Sequence, residues 1–308
     1  MQPAEQRRRT TTLVGFSAVL MWSLLTLLTA ASGRMPPFQL AAVTFAIGGG
    51  AGIIVVLVRG QAVTAFNQPP AVWALGVMGL FGYHALYFIA LRTAPPAEAQ
   101  LLNYFWPLLI VLFSALLPDQ RLKRHHIAGT LLGVTGTVVL FTGRHDVALS
   151  AQFLPGYVAA FLAAFAWATY SVLSRRFAQV PTEAVAGFCI VTSALAFVCH
   201  LLFETTVWPD NTGQWLAVLA LGVGPVGAAF YAWDVGVKRG DIRVLGAASY
   251  AAPILSTLFL VLAGYAEASV ALGLAACLIA GGGLLAARDM IWPSPSVASS
   301  PEAPVRKT

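Results

Sequence analysis

Charge is scarce along this chain of 308 residues. Charged residues make up 10% of the sequence and hydrophobic residues 58%, whereas soluble proteins average about 25% charged residues. One soluble core cannot absorb so much apolar sequence, so the deficit of charge excludes an ordinary soluble domain. The composition indicates a membrane protein that crosses the bilayer many times.

Cysteines and catalytic motifs are scarce as well. Cys189, Cys199 and Cys277 all lie inside apolar stretches, without the spacing of a disulfide framework or a metal site. The sequence also lacks H-E-x-x-H, G-x-S-x-G and any pair of carboxylates in the middle of an apolar run. These absences argue against an enzyme, and we expect neither a cofactor nor a bound metal.

Ten apolar runs occupy most of the chain, and each is long enough to cross a hydrocarbon core of about 30 Å as an α-helix. Barrel strands are excluded, because they alternate in hydropathy and are about half as long. The sequence therefore predicts an all-α polytopic membrane protein with ten transmembrane helices. The runs lie near residues 13–31, 38–58, 71–92, 98–117, 126–143, 155–174, 185–203, 214–237, 244–264 and 268–287.

A pattern in the first half of the chain returns in the second half. Tyr-Phe-Trp-Pro-Leu at residues 104–108 returns as Tyr-Ala-Ala-Pro-Ile at residues 250–254, an offset of 146. Five crossings in each copy give the two copies opposite orientations, and inverted repeats are typical of secondary transporters. We therefore predict two inverted five-helix repeats around a central cavity, and movement of a small molecule across the bilayer.

The predicted domains follow from this repeat. Residues 1–12 form a cytoplasmic N-terminal segment, 13–143 the first repeat, 155–287 the second repeat and 288–308 a cytoplasmic tail. The tail is rich in Pro and Ser and is predicted to be disordered. The run after Arg7 could be read as a signal peptide, but it lacks a clear cleavage site and is expected to remain as the first helix.

The distribution of basic residues predicts the orientation in the membrane. With the N-terminus inside, fifteen of the 18 Lys and Arg residues fall on the cytoplasmic side, and Arg34, Arg92 and Arg144 remain outside. We expect a multi-pass protein of the inner membrane with both termini in the cytoplasm. The positive charge then reflects topology and attraction to anionic lipid, and no nucleic acid partner is needed to explain it.

Three prolines lie inside apolar runs, namely Pro107, Pro225 and Pro253. A proline removes the hydrogen bond to the carbonyl four residues earlier, which belongs to Asn103 and to Ser249 in the two equivalent segments. One interpretation is a pair of hinges that face a wet cavity, and the other is ordinary kinks between packed helices. The equivalent positions in the two repeats favour the hinges.

Aromatic and polar residues recur at helical spacing near the centres of several runs. Trp and Tyr also gather at membrane interfaces, but that explanation fails for Trp22, Tyr83 and Trp167 at the centres of their runs. Packing between helices remains an alternative for each ring, as does a structural hydrogen bond for His84. The candidate substrate-binding residues are Trp22, Tyr83, His84, Tyr87, Asn103, Tyr104, Trp106, Trp167, Tyr170, Trp233, Ser249 and Tyr250.

Charged residues distinguish between classes of transporter. No Lys or Arg lies deep within a run, which argues against a carrier of phosphate-bearing anions. Glu98 is expected to stabilise the start of the fourth helix, and Asp234 to lie at the membrane interface. The remaining uncharged, aromatic cavity suits a neutral or zwitterionic head with a large apolar body. Without a central carboxylate, facilitated flow is expected rather than proton coupling.

The ten helices, the paired prolines and the Gly-rich fifth helices closely resemble the drug/metabolite transporter superfamily, EamA type, over residues 13–287. Gly-Tyr-His-Ala-Leu-Tyr at 82–87, Leu-Leu-Asn-Tyr-Phe-Trp-Pro at 101–107 and two central tryptophans resemble its aromatic amino-acid exporters. The resemblance implies export of Trp, Phe, Tyr and other neutral amino acids, or of aromatic cations, through a central cavity. It also implies that this cavity is lined by Tyr83, His84, Tyr87, Asn103, Tyr104, Trp106 and Trp167.

Three alternatives stay open beside the amino-acid exporter. They are a proton-coupled efflux transporter of broad specificity for drugs and metabolites, an intramembrane enzyme, and a scaffold or receptor. Solute flux in liposomes separates transport from the last two. The sequence leaves the oligomeric state open.

Overall fold

The computed structural model describes residues 3–118, 122–143, 150–264, 267 and 269–291. Within these residues the chain is helical and contains no β-strand. The α-helices, numbered in chain order, are α1 (Pro3–Ser23), α2 (Leu25–Ala31), α3 (Pro37–Val58), α4 (Ala62–Phe66), α5 (Pro70–Val77), α6 (Tyr83–Thr93), α7 (Pro96–Asn103), α8 (Trp106–Ser114), α9 (Arg124–Thr142), α10 (Leu154–Ser174), α11 (Ala184–Phe203), α12 (Thr212–Val223), α13 (Ala229–Arg239), α14 (Ile242–Ala248), α15 (Ala251–Leu262), α16 (Val270–Ala286) and α17 (Arg288–Ile291).

Eight helical stretches of the described chain are long and apolar enough to cross a membrane. The apolar helix α16 is shorter, and the predicted run 98–117 is divided between α7 and α8. The prediction of an all-α membrane protein is confirmed. The eight stretches are Ala4–Ala31, Pro37–Val58, Pro70–Thr93, Arg124–Thr142, Ala151–Phe177, Ala184–Phe203, Thr212–Arg239 and Ile242–Leu262.

The ends of the chain differ from the predicted boundaries. Helix α1 begins at Pro3, so most of the predicted N-terminal segment belongs to the first turns of that helix. The first residues of the predicted tail form α17, where Asp289 accepts a hydrogen bond from Lys123. The remainder of the tail, together with Arg121 and Arg144, lies outside the described residues.

The principal helix pairs each join the first half of the chain to the second. Helix α9 packs along α16, α3 along α11, α1 along α13, and α6 along α10. Helix α8 packs against α10 and α14. The two halves are therefore interleaved, and the core of the bundle lies between them.

Glycines allow two of these pairs to approach at backbone distance. A Cβ atom built on Gly129 of α9 would lie 2.4 Å from the Gly282 carbonyl oxygen of α16. A Cβ built on Gly15 of α1 would lie 2.8 Å from the Gly236 Cα of α13. Small residues at such crossings permit the close van der Waals packing that stabilises helix pairs in membranes.

Irregular helix geometry occurs at matching places in the two halves. π-Helical turns at Met78–Gly82 and Gly224–Ala228 lie 146 residues apart, and Pro225 belongs to the second of them. Helix α7 gives way to α8 after Asn103, and α14 gives way to α15 after Ala248. Pro107 and Pro253 therefore lie in the first turn of the following helix, where a missing N–H is tolerated.

Candidate functional site

Five aromatic rings meet in the middle of the bundle, and we call them the aromatic cluster: Trp22 of α1, Trp106 of α8, Trp167 of α10, and Phe230 and Trp233 of α13. The Trp22 ring centroid lies 5.4 Å from that of Trp167 and 5.2 Å from that of Trp233. Edge-to-face and tilted contacts of this length are the arrangements that aromatic rings prefer. Four predicted site residues are thus brought together as packed rings.

The indole nitrogens of the cluster have hydrogen-bond acceptors. Trp22 Nε1 donates to the Pro225 carbonyl at 3.0 Å, so the π-helical turn supplies the acceptor. Trp233 Nε1 donates to Ser171 Oγ at 3.0 Å. These bonds fix the orientation of two rings that lie deep in the bundle, because a buried donor without an acceptor is costly.

A second group of predicted residues borders the cluster through α6. The Tyr83 ring lies 5.6 Å from Trp167 and stacks on Tyr87 at 6.0 Å. His84 donates from Nδ1 to the Leu80 carbonyl at 2.7 Å and faces Tyr83 edge-on at 5.0 Å. The π-helical turn just before α6 sets the direction in which these side chains leave the helix.

Asn103 joins this group from the end of α7. Its Nδ2 donates to the Tyr83 hydroxyl at 3.1 Å, and the residue is 3% exposed. Its Oδ1 has no hydrogen-bond partner among the described residues. The site therefore contains a buried polar acceptor beside an aromatic ring.

The other predicted residues lie at the helix breaks or at the edge of the cluster. Tyr250 is fully buried, and its hydroxyl accepts from the Leu108 N–H at 3.1 Å, which caps the start of α8. Ser249 donates to a backbone carbonyl of its own helix. Tyr104 contacts Phe141 at 6.0 Å, and Tyr170 borders the cluster at 5.3 Å from Trp167.

Two aromatic residues of the site were missed from the sequence. Phe230 lies 5.9 Å from Trp22 and stacks on Phe45 of α3 at 5.5 Å. The three-residue spacing between Phe230 and Trp233 places both on one helix face and could have indicated the first. Phe45 lies in an apolar run without any distinguishing signal, because its role comes from packing between distant helices.

A buried ion pair lies toward the end of the bundle at which α1 begins, which we call the N-terminal face. Lys238 Nζ donates to Asp234 Oδ1 at 2.8 Å, and the two side chains are 4% and 2% exposed. Thr182 Oγ1 donates to Asp234 Oδ2 at 2.7 Å, and Lys238 also donates to the Val180 carbonyl. The sequence predicts Asp234 at the inner end of its run, and the structure adds that it is buried there against Lys238; pairing makes the burial of both charges possible.

Asp241 ties α1 to the start of α14 at the same face. Its carboxylate accepts from the Arg243 guanidinium at 2.9 Å and from Arg8, and its N–H donates to Thr12 Oγ1 at 2.9 Å. Burial acts to raise the pKa of Asp241, but the hydrogen bond from Arg243 and the charges of Arg8 and Arg243 outweigh it. The pKa of Asp241 therefore lies below its usual value.

At the other end of the bundle, which we call the opposite face, Glu204 links α6 to the start of α3. This carboxylate accepts from the Arg92 guanidinium at 2.9 Å and from the N–H groups of Phe38 and Gln39 at the start of α3. Glu98 lies in the first turn of α7, as predicted, and accepts from a tyrosine hydroxyl.

One group of side chains has the composition of a metal site. His125, His126 and Asp289 each place one ligand atom within 4.8 Å of the others. Lys123 already engages two of them, because its ammonium pairs with Asp289 and its N–H donates to His126 Nδ1 at 3.1 Å. The Lys123 hydrogen bond and the charge of His125 outweigh a smaller effect of burial and hold the pKa of Asp289 below its usual value.

Comparison with known proteins places these features in a family. The EamA-like transporter family matches residues 9–142 and again residues 154–288. The aromatic amino acid exporter YddG of Ancylobacter novellus is 56% identical over 280 residues, covering 91% of this chain and 97% of that protein. The exporter of the same name from Escherichia coli is 25% identical over 290 residues, covering 90% and 97%. A solved crystal structure has a TM-score of 0.87 at 57% identity, covering 91% of this chain and 96% of the other. This protein belongs to the EamA-like transporter family.

Proposed function

We propose that this protein exports aromatic and other neutral amino acids across the inner membrane. The observation that carries the proposal is the aromatic cluster between broken helices, on a chain 56% identical to an aromatic amino acid exporter. Rings of this kind bind an aromatic side chain through edge and face contacts. The site contains no unpaired charge among its described residues, which suits a substrate without net charge.

The architecture that we propose is ten transmembrane helices in two inverted repeats. In this arrangement α7 and α8 together form the fourth crossing and α16 the tenth. The pairing of helices between the two repeats supports this architecture. The first helix of each repeat packs on the third crossing of the other repeat, as α1 packs on α13 and α10 on α6. The pairs α9–α16 and α3–α11 each join helices at equivalent positions of the two repeats. The 146-residue spacing of the two π-helical turns supports it as well. Both termini are then cytoplasmic, and the N-terminal face is the cytoplasmic face.

Transport proceeds by alternating access between these faces. The substrate enters among the cluster rings and the residues that border them, and displaces ring-to-ring contacts with its own side chain. Pro107, Pro225 and Pro253 mark the points where the helices flex. The hydrogen bonds of Tyr250 and Ser249 support these breaks rather than the substrate.

We propose a facilitator, in which the substrate gradient drives the flow. The buried carboxylate near the pathway, Asp234, is already paired with Lys238 and Thr182. The same buried carboxylate is the feature that favours the alternative, a proton-coupled efflux transporter, because intramembrane carboxylates commonly carry protons. A dependence on the pH gradient distinguishes the two.

Tryptophan efflux from proteoliposomes tests the function. We expect efflux well above that of empty liposomes, with less than a twofold change when a pH gradient is imposed. Trp167→Ala should reduce the rate at least tenfold, because Trp167 contacts six other rings, including all four other members of the aromatic cluster. Trp208→Ala is the matched control, since Trp208 is 56% exposed and should leave the rate unchanged. Equal effects of the two variants would reject the cluster as the substrate site, and a strict pH requirement would establish proton coupling.

A further inference from the structure

The break between α7 and α8 leaves hydrogen-bond acceptors beside the aromatic cluster. We propose that Asn103 and the C-terminal end of α7 bind the α-ammonium group of the transported amino acid. This inference rests on the proposed function and assigns the orientation of the substrate within it. The ammonium group then lies at Asn103, and the aromatic body points past Tyr83 toward the cluster.

The first observation is the Asn103 side chain itself. It is 3% exposed, its Nδ2 is engaged by the Tyr83 hydroxyl at 3.1 Å, and its Oδ1 has no partner in the described part of the chain. A buried acceptor without a donor is destabilising, so such groups call for an explanation. An ammonium group carries three donors and no acceptor, which complements a free amide oxygen.

The second observation is the backbone at the break. The carbonyl of Asn103 has lost its usual donor, because the residue four positions later is Pro107, which has no N–H. The carbonyl of Tyr104 has lost its donor as well, since the Leu108 N–H points to the Tyr250 hydroxyl at 3.1 Å. Carbonyls at the end of an interrupted membrane helix attract cationic groups, and the helix dipole adds to this attraction.

The equivalent break in the second half lacks these acceptors. Counting 146 residues on, Tyr83 corresponds to Ala229 and Asn103 to Ser249. Ala229 cannot hold an amide in place, and Ser249 donates to the Leu245 carbonyl at 2.7 Å. The Ser249 hydroxyl keeps acceptor lone pairs, but the Ser249 carbonyl already accepts from the Ala252 N–H at 3.0 Å. Only the first break therefore combines an amide oxygen without a partner among the described residues with a carbonyl that has lost its donor, which gives the substrate a single orientation.

The polar acceptor and the aromatic rings adjoin each other through Tyr83. The Tyr83 ring that holds Asn103 lies 5.6 Å from the Trp167 ring, so the acceptor and the cluster are neighbours. A ligand with both an ammonium group and an aromatic ring can bind to Asn103 and to the aromatic cluster at the same time. Carboxylates that lack the amino group satisfy only the rings.

Three indole ligands test the assignment: tryptophan, tryptamine, which lacks the carboxylate, and indole-3-propionate, which lacks the ammonium group. Binding is measured on the purified full-length protein by ligand-dependent thermal stabilisation, and tryptophan flux is measured in parallel. We expect Asn103→Ala to weaken tryptophan and tryptamine binding at least tenfold and to change indole-3-propionate binding less than twofold. Asn67→Ala, which removes an exposed asparagine, is the control for the substitution itself.

A second variant keeps the test valid if Asn103→Ala folds poorly. Asn103→Asp introduces a carboxylate at the same place and should raise the preference for tryptamine over indole-3-propionate at least tenfold. Equal loss of all three ligands would overturn the assignment and make Asn103 a packing residue. Selective loss of indole-3-propionate would overturn it in the other direction, with the amide Nδ2 facing the carboxylate. Selective amine binding without tryptophan flux would keep the ammonium site and reject the exporter.

Discussion

The two ends of the helix bundle place equivalent cations in different surroundings, one half exposed and the other buried. Arg92 ends α6 at the opposite face, and Lys238 ends α13 at the N-terminal face, 146 residues later. The Arg92 side chain is 47% exposed in its bridge to Glu204, whereas the Lys238 side chain is 4% exposed in its bridge to Asp234. One position in the repeated pattern therefore holds a half-exposed cation on a buried carboxylate at one face and a fully buried pair at the other.

This difference indicates which face is the closed one in the described conformation. At the N-terminal face, Lys238 links α13 to the Val180 carbonyl, and Arg175 at the end of α10 donates to the Val237 and Gly240 carbonyls. These bonds cross between helices and have little access to water. Opening this face must break them, whereas the half-exposed Arg92 guanidinium can leave Glu204 for water while the Phe38 and Gln39 N–H groups still donate to that carboxylate.

The largest expected effect comes from breaking the buried pair. Lys238→Met leaves the Asp234 carboxyl buried without its cation and with Thr182 as its remaining partner, so the group must keep an uncompensated charge or bind a proton, and the closed N-terminal face should lose up to about 3–5 kcal/mol. Faster labelling of a single cysteine placed at this face, together with a lower melting temperature, measures the loss. The double variant Lys238→Met/Asp234→Leu removes both charges and should recover most of it. A double variant as unstable as the single one would show that packing, rather than charge pairing, holds the face closed.

A smaller effect is expected at Asp241. Asp241→Ala removes an N-cap that accepts from the Arg243 and Val244 N–H groups, a loss of about 0.5–2 kcal/mol. Because the folded pKa of Asp241 lies below the unfolded value of about 3.9, its contribution is complete above that value. The contribution is then lost as the pH falls through the folded pKa. Thermal unfolding at pH 3 to 7 should show a smaller acid destabilisation in Asp241→Ala than in the parent, and parallel pH profiles would contradict this.

The smallest effect is expected at Arg92. Arg92→Met should lower the free energy of unfolding by about 0–1 kcal/mol, because the guanidinium is half exposed and the Glu204 carboxylate retains its hydrogen bonds from the Phe38 and Gln39 N–H groups. The measurement is the same melting experiment, compared directly with Lys238→Met. A loss as large as that of Lys238→Met would remove the contrast between the two faces.

The sequence predicted the features that depend on local pattern. Apolar length predicted the helices. The candidate site residues chosen from the sequence include four of the five rings of the aromatic cluster, and their part in substrate binding stays a prediction. The repeated prolines predicted both helix breaks, although each break precedes its proline. All of these features follow from helical periodicity and from the backbone chemistry of proline. Both can be recognised within a single segment of the chain.

The features that sequence reasoning missed depend on contacts between distant segments. Lys238 follows an apolar run, and nothing in its own segment indicates that the residues around Val180 and Thr182 cover it. Tyr104 and Tyr250 occupy the same place in the repeated pattern, but only Tyr250 caps a helix of the other half. Nothing within either run distinguishes these roles, because the partner lies more than 50 residues away in each case.

The most direct test of the account is a reversible crosslink across the N-terminal face. The Asp241 N–H donates to Thr12 Oγ1 at 2.9 Å, so Thr12→Cys and Asp241→Cys are neighbours between α1 and the start of α14, and a short thiol-reactive crosslinker with a reducible disulfide can join them. The measurement is tryptophan flux in proteoliposomes, with Cys189, Cys199 and Cys277 replaced by alanine, before and after reduction. Alternating access predicts that the crosslinked protein carries no tryptophan and that reduction restores the flux. Equal flux in the crosslinked and reduced protein would contradict the account, because the N-terminal face would not need to open for transport.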